Sequence, residues 1–231
     1  MNPKSETWLL LDSGPGAADL NMALDEALLE FASQLGKPVT RLYGWTERAA
    51  SFGYSQKYGE VARLTLLRPL VRRPTGGGLV SHDADWTYSL VFPPGHWWYA
   101  SRAPESYQRV HEWIRDAFAR LNITTELAPA RRKELPNQCF VGAERFDVLW
   151  RGRKIAGAAQ RRNRQGLLIQ GSVQPPPLAL ARADVQKAIC EAAREKWRVV
   201  WSPFRLNTLL DQRAEELVRR KYSLAAYNQR R

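Results

Sequence analysis

The 231-residue sequence holds only two cysteines, Cys139 and Cys190, and three histidines, His82, His96 and His111. Two thiols exclude a disulfide framework, and neither lies in a Cys-pair or Cys/His spacing that would hold zinc. The expected setting is therefore reducing and cytoplasmic. No stretch approaches the eighteen apolar residues of a membrane span, and the apolar run at 8–11, after Lys4, is too brief for the core of a secretion signal. Acidic residues are outnumbered as well: 23 Asp and Glu against 35 Lys and Arg leave a formal net charge of +12. A field of that sign attracts acidic partners, which include nucleic acid, acidic carrier proteins and acidic cofactor-bearing domains. On charge alone three classes stay open: a nucleic-acid binder, an enzyme handling acyl groups or nucleotides, and a protein-interaction module.

What the chain does have is apolar and aromatic material: 44% hydrophobic residues, 10% aromatic, nine tryptophans. That is enough to bury a core, and the length suits one domain, 1–231. No internal repeat or low-complexity linker divides it. The one plausible break is Gln174-Pro-Pro-Pro177, after which a basic helical tail is expected from about 178. A short strand at 8–11 precedes the turn residues Asp12-Ser-Gly-Pro-Gly16. Leu20, Leu24, Ala27, Leu28, Phe31 and Leu35 then recur at helical spacing, with Asp19 as a candidate N-cap and Gly36-Lys-Pro38 as the stop. Strand-like runs follow at 40–43, 49–52, 70–73 and 87–92. A second helix is expected over 105–121, striped by Tyr107, Val110, Ile114, Ala117, Phe118 and Leu121. Residues 146–150 and 154–158 flank Arg151-Gly152-Arg153 as a hairpin, and 166–173 continues the meander. Helices are expected at 178–191 and 213–221, the latter pairing Glu215 and Glu216 with Arg219 and Arg220. Strands grouped between helices without βαβ alternation predict an α+β domain, with a mixed or antiparallel sheet flanked by helices.

Three places could carry chemistry. In Arg72-Arg73-Pro74-Thr75-Gly76-Gly77-Gly78-Leu79-Val80-Ser81-His82-Asp83, glycines free to adopt positive φ could bring backbone amides against a ligand, beside two fixed cations. A phosphate, acyl-phosphate or thioester-linked group would suit it; a plain hairpin loop beside a solvated arginine pair is the alternative. The glycine spacing matches neither a Walker loop nor a dinucleotide fingerprint. Lys154 precedes the small residues Ile155-Ala156-Gly157-Ala158-Ala159, against which a ligand could lie flat with an ammonium at one end. A solvated hairpin lysine is the alternative there. Cys139, after the basic cluster Arg131-Arg-Lys133, could be a thiolate nucleophile, whereas Cys190 sits on the apolar side of a helix and reads as packing. His96-Trp-Trp-Tyr99 is either a surface loop that closes on an apolar ligand or packed core edge.

Taken in order, Asn21-Met-Ala-Leu-Asp-Glu-Ala27, Arg72-Arg73-Pro-Thr-Gly-Gly-Gly78 with His82-Asp83, and Lys154-Ile-Ala-Gly157-Ala-Ala-Gln160-Arg-Arg162 resemble the biotin/lipoate protein ligase and octanoyltransferase family. Lys221-Tyr222-Ser223 with Tyr227-Asn228 is similar to its closing motif, with Tyr227 where Trp is usual. The resemblance implies a class II biotin/lipoyl synthetase-like catalytic domain that attaches an octanoyl or lipoyl chain to one lysine of a lipoyl carrier domain. It implies that Lys154 holds the acyl carbonyl or acyl-adenylate. It likewise implies that Arg72, Arg73, Gly76, Gly77, Gly78, Leu79, Val80, Ser81, His82, Gly157 and Ala158 bind substrate, with no metal ligand among them. The family has two branches. Cysteine transferases take octanoate from acyl carrier protein through an enzyme thioester and need no cofactor; ligases activate free lipoate with ATP and Mg2+. Cys139-Phe140, fifteen residues before Lys154, matches the transferase nucleophile, and the absence of a separate accessory domain points the same way. The full glycine triplet is more ligase-like, and Gln170-Gly171-Ser172 stands where the family commonly has His-Gly-Ser/Thr. The implied partners are an acidic acyl carrier protein and the lipoyl domains of 2-oxoacid dehydrogenases or the glycine cleavage H protein. Neither membrane nor nucleic acid is expected, since the stretch before the first helix leaves no room for a DNA-binding helix-turn-helix.

Overall fold

A computed structural model describes residues 5–131 and 142–230. The chain runs β1 (Glu6–Gly16), α1 (Ala18–Glu30), α2 (Ala32–Leu35), β2 (Val39–Trp45), β3 (Ala49–Phe52), α3 (Tyr58–Ala62), β4 (Leu70–Arg72), β5 (Val80–His82) and β6 (Trp86–Phe92). It continues through α4 (Trp97–Ala100), α5 (Ala103–Arg120), β7 (Glu126–Leu127), β8 (Val148–Trp150), β9 (Arg153–Asn163) and β10 (Gly166–Val173). The last elements are α6 (Arg182–Trp197), β11 (Val199–Pro203), α7 (Thr208–Leu217), a π-helical turn (Val218–Tyr222) and α8 (Ala225–Asn228).

Eight strands form one mixed sheet in the order β11-β1-β2-β6-β10-β9-β8-β7, and β4-β3-β5 form a second, smaller one. In the large sheet β1 runs parallel to β11 and β2, while β2, β6, β10, β9, β8 and β7 pair antiparallel in turn. Its central strands are buried on both faces, and the period-2 alternation of side chains shows which residue goes where. Leu90, Phe92, Leu167 and Ile169 pack with Val110, Ile114 and Phe118 of α5 and with Val185 and Ile189 of α6. Val91 and Leu168, one residue out of phase, pack on the opposite side with Met22, Ala27 and Leu28 of α1 and Leu210 of α7. This is the α+β architecture that the strand and helix grouping predicts.

The aromatic residues close one end of the first core. Trp98 is fully buried and stacks on Phe92 with ring centroids 4.7 Å apart; Trp8 meets Trp98 edge-on and stacks on Trp197 at 5.7 Å. His96 Nε2 donates a hydrogen bond to the Glu6 carboxylate in this corner at 2.7 Å. The segment 96–99 is therefore core edge and not a surface lid.

Several boundaries differ from the sequence reading, each for a tertiary reason. The turn expected at 12–16 is strand, because β1 absorbs Ser13 as an irregularity in its register with β2 between Asp12 and Gly14. α1 is capped at Ala17, so Asp19 lies in the first helical turn. The third proline-flanked helix begins at Arg182 and not at 178, and it extends to Trp197. α7 begins at Thr208, five residues before the expected start, capped by the Asn207 side chain, which accepts from the Leu210 amide at 2.9 Å. β11, which the sequence reading does not include, starts two positions after the last residue of α6 and becomes a strand by lying parallel to β1. The hairpin turn Arg151-Gly152 has φ of 50° and 75°, the double positive φ of a tight two-residue connection.

Trp8→Ala removes the ring that four other aromatics pack around, so it is expected to cost about 3–5 kcal/mol of unfolding free energy, measured by urea titration with the far-UV signal of the folded protein retained.

Candidate functional site

The site is built where the small sheet faces strands β9 and β10 of the large one. Lys154 is the second residue of β9, and its ammonium is almost fully buried. Nζ lies 2.7 Å from Oδ2 of Asp147, a carboxylate with no exposed surface. Asp147 is itself held from two other directions, by the Glu144 amide at 2.6 Å and by a short hydrogen bond from the Tyr107 hydroxyl. A buried cation in an apolar protein interior demands such a partner. Gly157 makes the geometry possible: a Cβ there would sit 2.7 Å from Lys154 Cε and 2.9 Å from Nζ. The Lys-x-x-Gly spacing is thus a packing requirement for the folded-back lysine.

Lys154 opens onto a narrow, half-open cavity of about 40 Å3. Met22, Val80, Ala158 and Ala159 supply apolar wall, and Ser51, Arg73 and His82 supply polar groups on the small-sheet side. An ammonium at one end of a narrow space walled by small and apolar side chains can meet a carbonyl or carboxylate while an alkyl chain lies beyond it.

Arg72 and Arg73 follow the alternation of a strand and go to opposite sides. Arg73 lines the cavity. Its guanidinium donates to the carbonyls of Gly76 (2.9 Å) and Gly78 (2.8 Å) and to Ser51 Oγ (2.9 Å). The glycine loop therefore turns carbonyls toward the arginine, which fixes its shape, and Gly77 adopts φ of 88°. Gly53 lets the loop approach, since a Cβ there would collide with the Gly77 carbonyl. Arg72 lies outside the cavity lining. It is fully buried and donates to the carbonyls of Tyr54, Gln56, Asn228 and Arg230 at 2.6–3.0 Å, tying the C-terminal segment to the small sheet. Neither arginine is solvated.

The other sequence candidates separate in the same way. Val80, His82, Gly157 and Ala158 line the cavity with Lys154. Leu79 is buried with Ala50, Phe52, Val61 and Leu70, and Ser81 faces solvent from the other side of β5. Cys139 lies outside the described residues. Cys190 is half-buried on α6, and burial pushes its thiol up to about 11, the mark of an inert cysteine. Among the described residues no group of three or more His, Cys, Asp or Glu is arranged to hold a metal ion.

Several residues of the site escape the sequence reading. Asp147 has no local signature. Asp85 hides as one more acidic residue after His82-Asp83, and Ser51 as one small residue in a strand. Gln170 is legible only as a departure, yet its role is plain in three dimensions: its amide donates to Asp25 Oδ2 at 2.7 Å and its carbonyl accepts from Thr75 Oγ1 at 2.7 Å. It joins helix α1 to the base of the glycine loop. Beneath Lys154, His111 is fully buried against the Tyr107 ring, and burial pushes it down to about 4.

Comparison with known proteins agrees with this geometry. A model of the lipoyl protein ligase A/B catalytic domain matches residues 17–174. Octanoyltransferase LipM of Bacillus subtilis is 36% identical over 183 residues, 74% of this chain and 66% of its own length. The LipM protein of Staphylococcus aureus is 34% identical over 183 residues, again 66% of its length, so the match spans just under two thirds of these relatives. A putative lipoate protein ligase from T. acidophilum superposes with a TM-score of 0.80 at 20% identity, over 98% of this chain and 99% of that one. A lipoate-protein ligase A solved with ATP does so at 0.77 and 20%, over the same shares. These structures share the fold.

Two outcomes are expected for stability. Asp147→Asn leaves the Lys154 ammonium buried without its carboxylate and costs about 3–5 kcal/mol in urea unfolding, most of which the Asp147→Asn/Lys154→Met double variant recovers. His111 takes a proton near 6.5 when unfolded but only near 4 when folded, so the unfolded state binds more protons between those values. Stability therefore falls as pH drops from about 7 to about 4, by about 3 kcal/mol from this group, and His111→Phe flattens that slope in urea midpoints measured across the range.

Proposed function

The chain belongs to the lipoyl protein ligase A/B catalytic-domain family, and on that premise we propose that residues 1–231 are one catalytic domain that transfers an octanoyl group to a lysine of lipoyl carrier domains. The donor is octanoyl-acyl carrier protein, and the intermediate is a thioester on Cys139. The observation that carries this reading is the pairing in one cavity of a buried, Asp147-anchored ammonium with apolar wall from Met22, Val80, Ala158 and Ala159. Cys139 enters from the sequence, by its Cys-Phe context and its spacing from Lys154.

Chemically, the Cys139 thiolate attacks the carbonyl of the donor thioester, and the carrier's thiolate leaves. The Lys154 ammonium donates to the oxygen that becomes negative in the tetrahedral intermediate, and Asp147 keeps its nitrogen aimed there. The neutral acceptor lysine amine then attacks the acyl-cysteine; the amide forms as the C–S bond breaks, the amine's surplus proton passes to solvent, and the Cys139 thiolate is released. The net charge of +12 steers both partners, an acidic acyl carrier protein and the acidic lipoyl domains of 2-oxoacid dehydrogenases or the glycine cleavage H protein. Such chemistry belongs in the cytoplasm.

A second reading, ATP-dependent ligation of free lipoate with Mg2+, is favoured by the complete Gly76-Gly77-Gly78 triplet. Intact-mass analysis after incubation with octanoyl-acyl carrier protein separates the two. The wild-type protein gains one octanoyl group on Cys139 without ATP, and Cys139→Ser loses both the adduct and transfer by at least about 100-fold. A Cys139→Ser protein that transfers octanoate at the wild-type rate and requires ATP establishes the ligase. Lys154→Met is expected to lower kcat by about 10²–10³, as loss of an oxyanion donor does, measured as single-turnover acylation of a lipoyl domain.

A further inference from the structure

Ser51, His82 and Asp85 form a buried hydrogen-bond chain at the small-sheet wall of the cavity. His82 Nδ1 lies 2.8 Å from Asp85 Oδ2, and His82 Nε2 lies 2.6 Å from Ser51 Oγ. Ser51 is fully buried, and His82 and Asp85 are 4% and 8% exposed. The chain follows from strand register. Ser51 sits on β3 between its antiparallel neighbour β5, which carries His82, and its parallel neighbour β4, which leads into Arg73. Arg73 completes the chain by donating to Ser51 Oγ at 2.9 Å while its other nitrogen holds the carbonyls of Gly76 and Gly78. At the far end the large sheet fixes Asp85, through Ser172 Oγ of β10 at 2.6 Å and Thr87 Oγ1 of β6 at 3.0 Å. Trp45 of β2 stacks flat on the His82 ring, 3.7 Å away, and donates from Nε1 to Thr87 at 2.8 Å.

These partners select one tautomer. The carboxylate of Asp85 accepts from Nδ1–H, so Nε2 is bare and accepts from the Ser51 hydroxyl. Ser51, its hydroxyl donating to His82, turns a lone pair to the Arg73 guanidinium. Serine, histidine and aspartate in this order serve elsewhere as nucleophile, base and orienting group. Here Ser51 Oγ exposes no surface and a cation already engages its lone pair, so the chain transmits orientation and performs no attack.

We propose that Asp85, His82 and Ser51 are positioning residues for the acyl transfer, a relay from the large sheet that aims Arg73, which lines the cavity, and through it holds the shape of the Gly76–Gly78 loop. The proposal rests on the acyl-transfer reading for its kinetic consequence, whereas the relay itself is measurable without substrate.

The test compares Ser51→Ala with His82→Phe, which keeps a ring on Trp45 but removes both nitrogens. In the ligand-free protein, amide hydrogen exchange at 76–78 is expected to accelerate at least about tenfold in both variants, and the 15N spectrum of histidine-labelled wild type shows His82 protonated at Nδ1. With octanoyl-acyl carrier protein and a lipoyl domain, kcat falls by about 10–100-fold with KM within about threefold of wild type, the range seen when outer supporting contacts of a site are removed. His82→Gln, whose amide reaches the Nε2 position, recovers at least about tenfold over His82→Phe. If His82→Phe fails to fold, Ser51→Ala decides. Unchanged loop exchange and kcat in Ser51→Ala, a His82 protonated at Nε2, or an acyl or fluorophosphonate adduct on Ser51 overturns the relay. A wild-type protein that transfers nothing while the loop exchange responds as expected overturns the acyl-transfer reading and leaves the relay standing.

Discussion

The Asp25 carboxylate, buried without any exposed surface in the middle of α1, sets the arrangement of nearly everything around the cavity. A carboxylate there must be saturated with donors. Arg41 supplies one at 2.7 Å and Tyr43 another at 3.0 Å, both from β2; Ser89 supplies a third at 2.7 Å from β6, and Gln170 a fourth at 2.7 Å from β10. Three adjacent strands are thereby referenced to one point on one helix. Gln170 passes that reference on to Thr75, so the start of the glycine loop is fixed from the same point. A glutamine suits the position because its amide donates to a carboxylate with one end and accepts from a hydroxyl with the other, without carrying charge.

Around this knot the protein places cations where they do structural work inside and leaves the rest to its surface field. Arg41 is spent on Asp25 and the Asn21 carbonyl, Arg72 on the backbone of the C-terminal segment, Arg73 on the glycine loop, and Lys154 on Asp147. Each is buried with hydrogen-bonding partners, which is the condition under which burial of charge is tolerated. The ion pairs of α7 with the π-helical turn, Glu215–Arg219 and Glu216–Arg220, are exposed and contribute little to stability. The excess positive charge outside is better understood as a long-range field toward acidic partners than as a source of fold stability.

The two sheets divide the labour of the site. The large one holds the ammonium, the small apolar residues of β9 and the polar floor from β10. The small one brings Ser51, Arg73 and His82 to the opposite wall. Because β3 pairs in parallel with one neighbour and antiparallel with the other, three residues distant in the chain meet on one face at hydrogen-bonding distance.

By itself the sequence determined the class of fold, the strands at 49–52 and 166–173 to the residue, and the amphipathic α1 and α5, and it singled out Lys154, Gly157, Arg73 and His82, which the structure brings to one cavity. Each rests on short-range physics: the period of apolar residues, the spacing of glycines, a motif within a few positions. Tertiary structure alone decided that Arg72 and Arg73 part company, that β11 pairs with β1, and that of the 96–99 aromatics Trp98 is core while Trp97 stays exposed. It also decided that Asp147, Ser51, Asp85 and Gln170 belong to the site. Those residues carry no local pattern, because what places them at the cavity is a partner 3 to 145 positions away, delivered by strand register and by the demand that every buried charge find its counterpart.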